Sequence, residues 1–218
     1  MEAAPERRKT VTVLFCDVSG STELGERLET EAVREVMLRY FDEMRVVIER
    51  HSGTVEKFIG DAVMAVFGVP VAHEDDALRA VRAAAEMLGR LEALNDEIES
   101  RFGSRIGIRI GINTGEVVAG AIGGAGRLNF SIIGDAVNVA SRVEAETRRT
   151  GDDVLLTQAT YDRLEDDYPL RRRGERELRG IERPVVVYTL QGEPADLLGP
   201  VDAVRAVYAR VRGGRGED

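Results

Sequence analysis

The stretch VEKFIGDAVMAVFG, residues 55–68, decides how this chain folds. Apolar and β-branched residues run up to Ile59-Gly60 and continue beyond it. A glycine-containing break this short between two such runs predicts a β-hairpin. Lys57 and Asp61 stand on either side of the break. A buried strand pair has no need of either charge at its tip, so the presence of both requires an explanation.

Periodicity on both sides of the hairpin predicts alternating strands and helices. The predicted strands cover residues 10–15, 54–58, 62–67, 106–113, 116–122, 152–156, 168–178 and 185–190. The predicted helices cover residues 30–50, 74–100, 134–149 and 157–164, the first of them ending at Ser52-Gly53 with glycine as the stop signal. The resulting order predicts an α+β fold. Its ferredoxin-like βαββαβ core has helices on one face of an antiparallel sheet, and a C-terminal βαβαββ extension follows.

Composition predicts one cytoplasmic domain. With 218 residues and 43% hydrophobic content, the chain can form one core. We assign this domain to residues 10–191, between an N-terminal extension, residues 1–9, and a linker with a candidate short tail helix, residues 192–218. The net charge of −9 argues against nucleic acid as a partner. The single cysteine, the lack of a signal-like N-terminus and the lack of an apolar run of about 20 residues predict a cytoplasmic chain without a membrane segment.

Asp17 and Asp61 are predicted to converge at neighbouring strand ends. Each alone has an ordinary explanation, since aspartate caps helices and starts turns. In a βαββ core, however, the first strand pairs with the hairpin, so both carboxylates can meet beside a polar loop. That loop consists of Val18, Ser19, Gly20, Ser21 and Thr22. Paired carboxylates bind hard divalent cations and loop N–H groups bind phosphate, so this pattern favours a metal-assisted phosphoryl-transfer site.

Three further polar residues each have two interpretations. Strict alternation places Lys57 on the same face as Val55, so the lysine either points into a site or lies at the sheet margin. Asn138 and Arg142 are one helical turn apart, on the side opposite the apolar stripe of their helix. This pair therefore faces either solvent or a partner that carries phosphate or sugar oxygens.

Four ordered motifs carry a family resemblance: FCDVSGST, VEKFIGDAVMAVFG, INTGEVVAG and SIIGDAVNVASR. They resemble the catalytic domain of class III nucleotidyl cyclases, and the resemblance extends over about residues 9–190. Members of that family convert a nucleoside triphosphate, usually ATP, to the 3′,5′-cyclic monophosphate and pyrophosphate. The resemblance therefore implies an adenylate cyclase.

The resemblance implies two Mg²⁺ or Mn²⁺ ions held by Asp17 and Asp61, with the backbone of Val18 as a further metal contact. It implies that Lys57 reads the purine, and lysine there favours adenine because guanylyl cyclases usually carry glutamate. Ser131 stands where many adenylyl cyclases have an aspartate that binds the adenine amino group. A hydroxyl residue at this position resembles a subclass with threonine or serine there, some members of which respond to bicarbonate.

The resemblance also implies a head-to-tail homodimer with shared active sites. One protomer would supply the metal-binding aspartates. The other would supply the purine-reading Lys57 and Ser131, together with Asn138 and Arg142. In this arrangement Asn138 orients the ribose and Arg142 stabilises charge in the transition state. The loop at residues 18–22 would hold the triphosphate, and Arg179 and Arg183 are further triphosphate candidates by position. The chain contains no recognisable sensor, so a regulatory domain would lie outside it.

Three alternative functions stay open from the sequence. The chain could cyclise GTP or a pyrimidine nucleotide, bind a nucleotide without turnover, or act as a palm-type nucleotidyltransferase on nucleic acid. The complete set of charged and amide positions weighs against a domain without turnover. The acidic net charge and the VNVASR helix weigh against a palm domain.

Overall fold

A computed structural model of the chain describes residues 7–122, 129–164, 168–192 and 197–198. Its strands are β1 (Arg7–Ser19), β2 (Thr54–Ile59), β3 (Ala62–Phe67), β4 (Gly107–Ile122), β5 (Asn129–Ile133), β6 (Val154–Thr157), β7 (Leu170–Arg176) and β8 (Val185–Leu190). Its helices are α1 (Ser21–Arg27), α2 (Thr30–Arg50), α3 (Asp76–Phe102), α4 (Asp135–Thr150) and α5 (Gln158–Tyr161). The candidate tail helix and most of the predicted N-terminal extension lie outside the described residues.

The strands of the described residues form one eight-stranded sheet in the order β2-β3-β1-β4-β6-β8-β7, with β5 paired to β4 off this path. Neighbouring strands run antiparallel, apart from the parallel pair β4 and β6. The predicted α+β fold, a βαββαβ core followed by a βαβαββ extension, is confirmed. None of the described helices, including the 27-residue α3, could cross a membrane.

Helices cover both faces of the sheet. Alternation along β1 places Leu14 and Cys16 in the apolar cluster with α2 and α3, and Val13 and Phe15 in a second cluster with α4. The expectation of helices on one face of the sheet therefore holds for α2 and α3, the helices of the βαββαβ core. Helix α4 covers the opposite face. Asp17 is the next residue in the second alternating set, so it points to the side of the sheet that α4 covers.

Strand β4 replaces two predicted strands. It continues through residues 114 and 115 because Thr114 pairs with Thr12 and Gly115 with Val11 on β1. Conversely, β5 and α1 lie where no strand or helix was predicted. Both are short, seven residues for α1 and five for β5, so periodicity had too few repeats to reveal them.

Helix α2 ends where the sequence predicts, but Gly53 does not end it by adopting a left-handed conformation. Ser52, rather than Gly53, has the left-handed conformation after the helix, with φ of 58°. Gly53 is required for space, because a Cβ there would lie 2.7 Å from the ring of Phe67. Its N–H donates to the carbonyl of Ile48 over 2.8 Å, which satisfies one of the carbonyl groups left open at the helix end.

The β2–β3 hairpin turns one residue later than predicted. Ile59 pairs with Ala62, so the two-residue loop is Gly60-Asp61. Gly60 has φ of 64°, and the first central position of such a loop favours glycine for this reason. Asp61 is consequently part of the turn itself and lies outside the paired residues of the two strands.

Helix α4 packs directly on Gly111 of β4. A Cβ at this position would lie 2.2 Å from the backbone nitrogen of Glu144 and 2.5 Å from the carbonyl oxygen of Ala140. Backbone atoms of a packed helix cannot yield separately, so any side chain would push α4 away from β4. Gly111 therefore determines how close the residues of α4 come to β1 and β4.

We expect Gly111→Ala to lower the free energy of unfolding by about 3 kcal/mol, as for overpacked cores. Gly25→Ala is the matched control: Gly25 lies in helix α1, and a Cβ there would meet no atom within 4 Å. Alanine at this position should raise stability by up to about 1 kcal/mol. Urea denaturation followed by circular dichroism measures both, and equal stability of the two variants would contradict this account of the α4–β4 contact.

Candidate active site

Asp17 and Asp61 lie side by side at one end of the sheet. Strands β1 and β3 run antiparallel with Cys16 opposite Val63, so the residue after Cys16 faces the hairpin turn that carries Asp61. Burial raises the pKa of Asp17 above its ordinary value, and the Asp61 carboxylate raises it further by repulsion and through a side-chain hydrogen bond. The predicted convergence of the two carboxylates is thus present in the structure.

Each of these carboxylates also has a polar partner other than its neighbour. The guanidinium of Arg148 on α4 donates from Nη2 to Oδ2 of Asp17 over 2.7 Å, and this contact lowers the pKa of Asp17 against the effects of burial and Asp61. The hydroxyl of Ser21, at the start of α1, donates to Oδ2 of Asp61 over 2.7 Å. The pair on β1 and the hairpin is therefore held in place by side chains of α1 and α4.

The donor set fits a hard divalent cation. A positive group already contacts Asp17 in the form of Arg148, which shows that this position attracts cations. The described residues contain no group of three or more His, Cys, Asp or Glu side chains arranged for a metal. Two carboxylates alone suit Mg²⁺, which usually keeps water and substrate phosphate oxygens as its remaining ligands.

The prediction that residues 18–22 form a loop is largely wrong, because most of them belong to β1 or α1. Val18 and Ser19 belong to β1, where they pair with Ile108 and Gly107 of β4. Ser21 already begins α1, and Gly20 alone separates the strand from the helix, with φ of 88°. Non-local pairing with β4 extends β1 past the point where the local sequence predicts a loop.

A β-bulge places Lys57 on the site face of the sheet. Val55 pairs with Ala65 but Lys57 with Met64, because the register shifts between them. Ala65 belongs to the α2–α3 cluster and Met64 to the α4 cluster, so Lys57 lies on the opposite face from Val55. The expectation that these two residues share a face was wrong, and Lys57 is on the same face as Asp17.

The Lys57 side chain lies on the edge strand and remains accessible. Its side chain is 48% exposed, and Nζ is 3.3 Å from a carboxylate oxygen of Glu56. The following residues, Phe58 and Ile59, are also 48% exposed. This tip of the sheet thus presents the charge of Lys57 and two apolar side chains at the surface, beside the carboxylate of Asp61 in the turn.

Asn138 and Arg142 lie on the exposed side of α4. Among the described residues, neither side chain makes a hydrogen bond or an ion pair. The buried residues of the helix, including Ala136 and Ala140, point to the sheet on the other side. The structure therefore does not bring this pair to the aspartates of its own protomer.

The remaining predicted positions are less defined. Ser131 lies on β5 opposite Gly120, and its side chain is outside the described residues. Arg179 and Arg183 are both exposed in the connection between β7 and β8. Arg179 lines a surface cavity of about 410 Å³ together with Arg149 at the end of α4.

Sequence reasoning missed Glu144 and Arg148. Glu144 is buried on α4 and lies 3.3 Å from Arg148. Burial raises the pKa of Glu144 to about 7; Arg148 and Arg109 lower it, while Asp17 raises it. A signal was available, because Glu144 follows Ala140 by four residues and so continues the apolar stripe of α4 with a charge.

This combination of sheet, paired aspartates and outward-facing amide and guanidinium defines a class III nucleotidyl cyclase catalytic domain. The chain belongs to the family described as "Adenylate and Guanylate cyclase catalytic domain", which residues 3–192 match. Adenylate cyclase 1 of Rhizobium meliloti is 34% identical over 193 residues, 85% of this chain and 28% of the relative. An adenylate cyclase of Anabaena cylindrica is 33% identical over 166 residues, 74% of this chain and 32% of the relative. The chain thus spans about a third of the length of these relatives.

Solved structures of both nucleotide specificities are similar to this chain. The adenylyl cyclase CyaB from P. aeruginosa has a TM-score of 0.81 at 34% identity, over 87% of this chain and 97% of that chain. The guanylyl cyclase Cya2 has a TM-score of 0.78 at 33% identity, over 86% of this chain and 94% of that chain. Overall similarity therefore does not distinguish ATP from GTP as the substrate, and individual side chains must be considered instead.

Proposed function

We propose that this chain is an adenylate cyclase domain that converts ATP to 3′,5′-cyclic AMP and pyrophosphate. The observation that carries the proposal is the separation of the site into two halves. Asp17 and Asp61 converge within the protomer, whereas Asn138 and Arg142 face outward from α4 without a partner among the described residues. Curated relatives named adenylate cyclase support the choice of ATP.

The two halves are completed when a second copy of the chain packs head to tail. Each active site then takes its carboxylates from one protomer and its amide and guanidinium from the other. A symmetric dimer has two such sites because each chain carries both halves. The exposed Phe58 and Ile59 at the hairpin tip and the exposed Ile133 before α4 are apolar surface that this packing would cover.

Asp17 and Asp61 would hold two Mg²⁺ or Mn²⁺ ions, with the backbone of Val18 as a further contact. When bound, such ions supply charge neutralisation of the triphosphate and a lowered pKa for a coordinated hydroxyl group. The protein's own part is to keep two mutually repelling carboxylates in contact. The packing of α4 and the hairpin on β1 does this, aided by the guanidinium of Arg148 on Asp17 and the hydroxyl of Ser21 on Asp61.

The reaction is an in-line displacement. The ribose 3′-oxygen attacks the α-phosphorus, the bond to the β-phosphate oxygen breaks, and pyrophosphate leaves. Asn138 holds the ribose so that the attacking oxygen is in line, and Arg142 pairs with charge that builds at the α-phosphate. The triphosphate lies along residues 18–22. The hydroxyl proton passes to water or to a substrate phosphate in this proposal.

Lys57 and Ser131 select the base in this proposal. Lysine is a donor and matches the acceptor nitrogens of adenine, and a serine hydroxyl both donates and accepts. The serine therefore discriminates less sharply than a carboxylate would, and Lys57 carries most of the preference. Its exposed position on the site face of β2 is suitable for contact with a nucleotide bound at the dimer seam.

Lys57→Glu should lower the ratio of ATP to GTP turnover by about tenfold or more, because a carboxylate repels the adenine acceptors and accepts from guanine. Lys9→Glu is the control, with the same change on β1, where Lys9 donates to the carbonyl of Pro70. Competition assays with both nucleotides measure the ratio. Unchanged selectivity in Lys57→Glu would remove the lysine from base recognition.

Product identification tests the proposed function directly. The protein is incubated with equimolar ATP, GTP, CTP and UTP plus Mn²⁺, and products are identified by mass spectrometry. Cyclic AMP as the main product supports the proposal, and another cyclic nucleotide would correct the substrate. Absence of every cyclic product would favour a nucleotide-binding domain without turnover.

A further inference from the structure

Arg148 bridges two carboxylates beside the candidate metal site. Its Nη2 donates to Oδ2 of Asp17 over 2.7 Å, and its Nη1 lies 3.3 Å from Oε1 of Glu144. Arg148 and Glu144 are one turn apart on α4, while Asp17 belongs to β1. A single guanidinium is therefore within reach of one proposed metal ligand and one carboxylate that has no role in the proposed reaction.

Glu144 offers a second place for this guanidinium. Its Oε1 is buried and, among the described residues, accepts no hydrogen bond of good geometry. An unsatisfied buried carboxylate oxygen is costly, and a full hydrogen bond from Arg148 would remove the cost. The backbone of α4 is held against β4 at Gly111, so only the arginine side chain has to move.

The Arg148 side chain can move because it is 49% exposed, whereas the side chains of Asp17 and Glu144 are 18% and 11% exposed. The two carboxylates are thus largely enclosed, whereas the guanidinium between them has room on its solvent side to change rotamer. An ion pair with one half-exposed member contributes little net stability, so its exchange for a stronger cation is easy. A divalent ion carries twice the charge and is such a cation.

We propose that Arg148 is a built-in counter-ion: it neutralises Asp17 while the metal site is empty and moves to Glu144 when a divalent cation binds. This inference rests on the proposed function, since it assumes a cation at Asp17 and Asp61. Arg148 is then a positioning residue, and it sets how tightly the domain binds Mg²⁺ or Mn²⁺. The same helix serves two sites: its Asn138 and Arg142 face lies about 120° around the axis from the Glu144 and Arg148 face.

Mn²⁺ binding to the nucleotide-free protein tests the inference, with free Mn²⁺ measured by electron paramagnetic resonance. We expect the Kd of Arg148→Gln for Mn²⁺ to be about tenfold lower than that of the unchanged protein, because a competing positive charge is gone. The Kd of Arg148→Lys for Mn²⁺ should stay close to that of the unchanged protein, because the positive charge is kept. Arg149→Gln is the matched control, since Arg149 is the next residue on α4, is exposed, and lies near Glu146 instead.

A second variant separates this effect from a general change in structure. Glu144→Gln alone should raise the Kd for Mn²⁺, because Arg148 loses its second carboxylate. In the double variant Glu144→Gln with Arg148→Gln, the Kd should stay close to that of Arg148→Gln, because Glu144 acts through Arg148. The cation concentration for half-maximal cyclic nucleotide formation should fall in Arg148→Gln in parallel with Kd.

The outcomes distinguish this inference from the proposed function. If Asp61→Asn binds Mn²⁺ as well as the unchanged protein, the proposed cation site is wrong and the inference is overturned with it. If binding depends on Asp61 but Arg148→Gln binds no more tightly than Arg149→Gln, only the counter-ion role is overturned.

Discussion

Replacing Asp61 by asparagine is expected to lower cyclic AMP formation by about a thousandfold or more. The change removes one of two carboxylates that would hold the divalent cations, and Asp17 alone cannot hold both. The fold should persist, because asparagine can still accept from Ser21 and the repulsion that raises the pKa of Asp17 is relieved. Turnover with saturating Mn²⁺ and thermal unfolding without metal measure the two effects separately.

Asp42→Asn is the control for this experiment. Asp42 lies on α2, its side chain is 67% exposed, and its partner is Arg45 on the same helix. Its replacement should leave turnover unchanged and stability within about 0.5 kcal/mol. An Asp61→Asn protein that keeps its fold and more than a tenth of its activity would remove Asp61 from the proposed metal site.

The second large effect is recovery of activity by mixing two inactive chains. Asp17→Ala and Arg142→Ala should each be nearly inactive alone, because every site in either homodimer lacks one residue. In a mixed dimer, one of the two sites combines an intact Asp17 with the other chain's intact Arg142. Random exchange makes half of the dimers mixed, so about a quarter of the unchanged protein's activity should return.

A mixture of Asp17→Ala and Asp61→Ala chains is the matched control. The two carboxylates converge within one protomer, so each site of the mixed dimer still lacks one of them. This mixture should stay inactive at every ratio of the chains. Recovery in the control, or none in the Asp17→Ala and Arg142→Ala mixture, would contradict sites shared in the proposed way.

Prediction from the sequence was strongest where long periodic segments meet local turn signals. The bounds of α2, Thr30–Arg50, agree with prediction, because many repeats of one period define this helix. Prediction was weakest where pairing with a distant strand overrides local composition. The polar residues after Cys16 were predicted as a loop, yet Asp17, Val18 and Ser19 pair with β4.

The candidate site shows the same division. Asp17, Asp61, Asn138 and Arg142 could be chosen from the sequence because motif spacing and helical geometry are local properties. The face on which Lys57 lies could not, since a bulge in the β2–β3 register reverses it. The role of Arg148 could not be predicted either, because its contact joins residues 131 positions apart.

The sequence by itself determined the order of most elements, the class of fold and the candidate residues for the proposed chemistry, because these depend on side-chain period and on motifs within single segments. Only the tertiary structure decided which residues share a site. Pairing of β1 with β3 brings the two aspartates together, and the close packing of α4 on Gly111 brings Glu144 and Arg148 beside them. Such contacts arise from strand register and helix packing over long sequence separations, which no local pattern records.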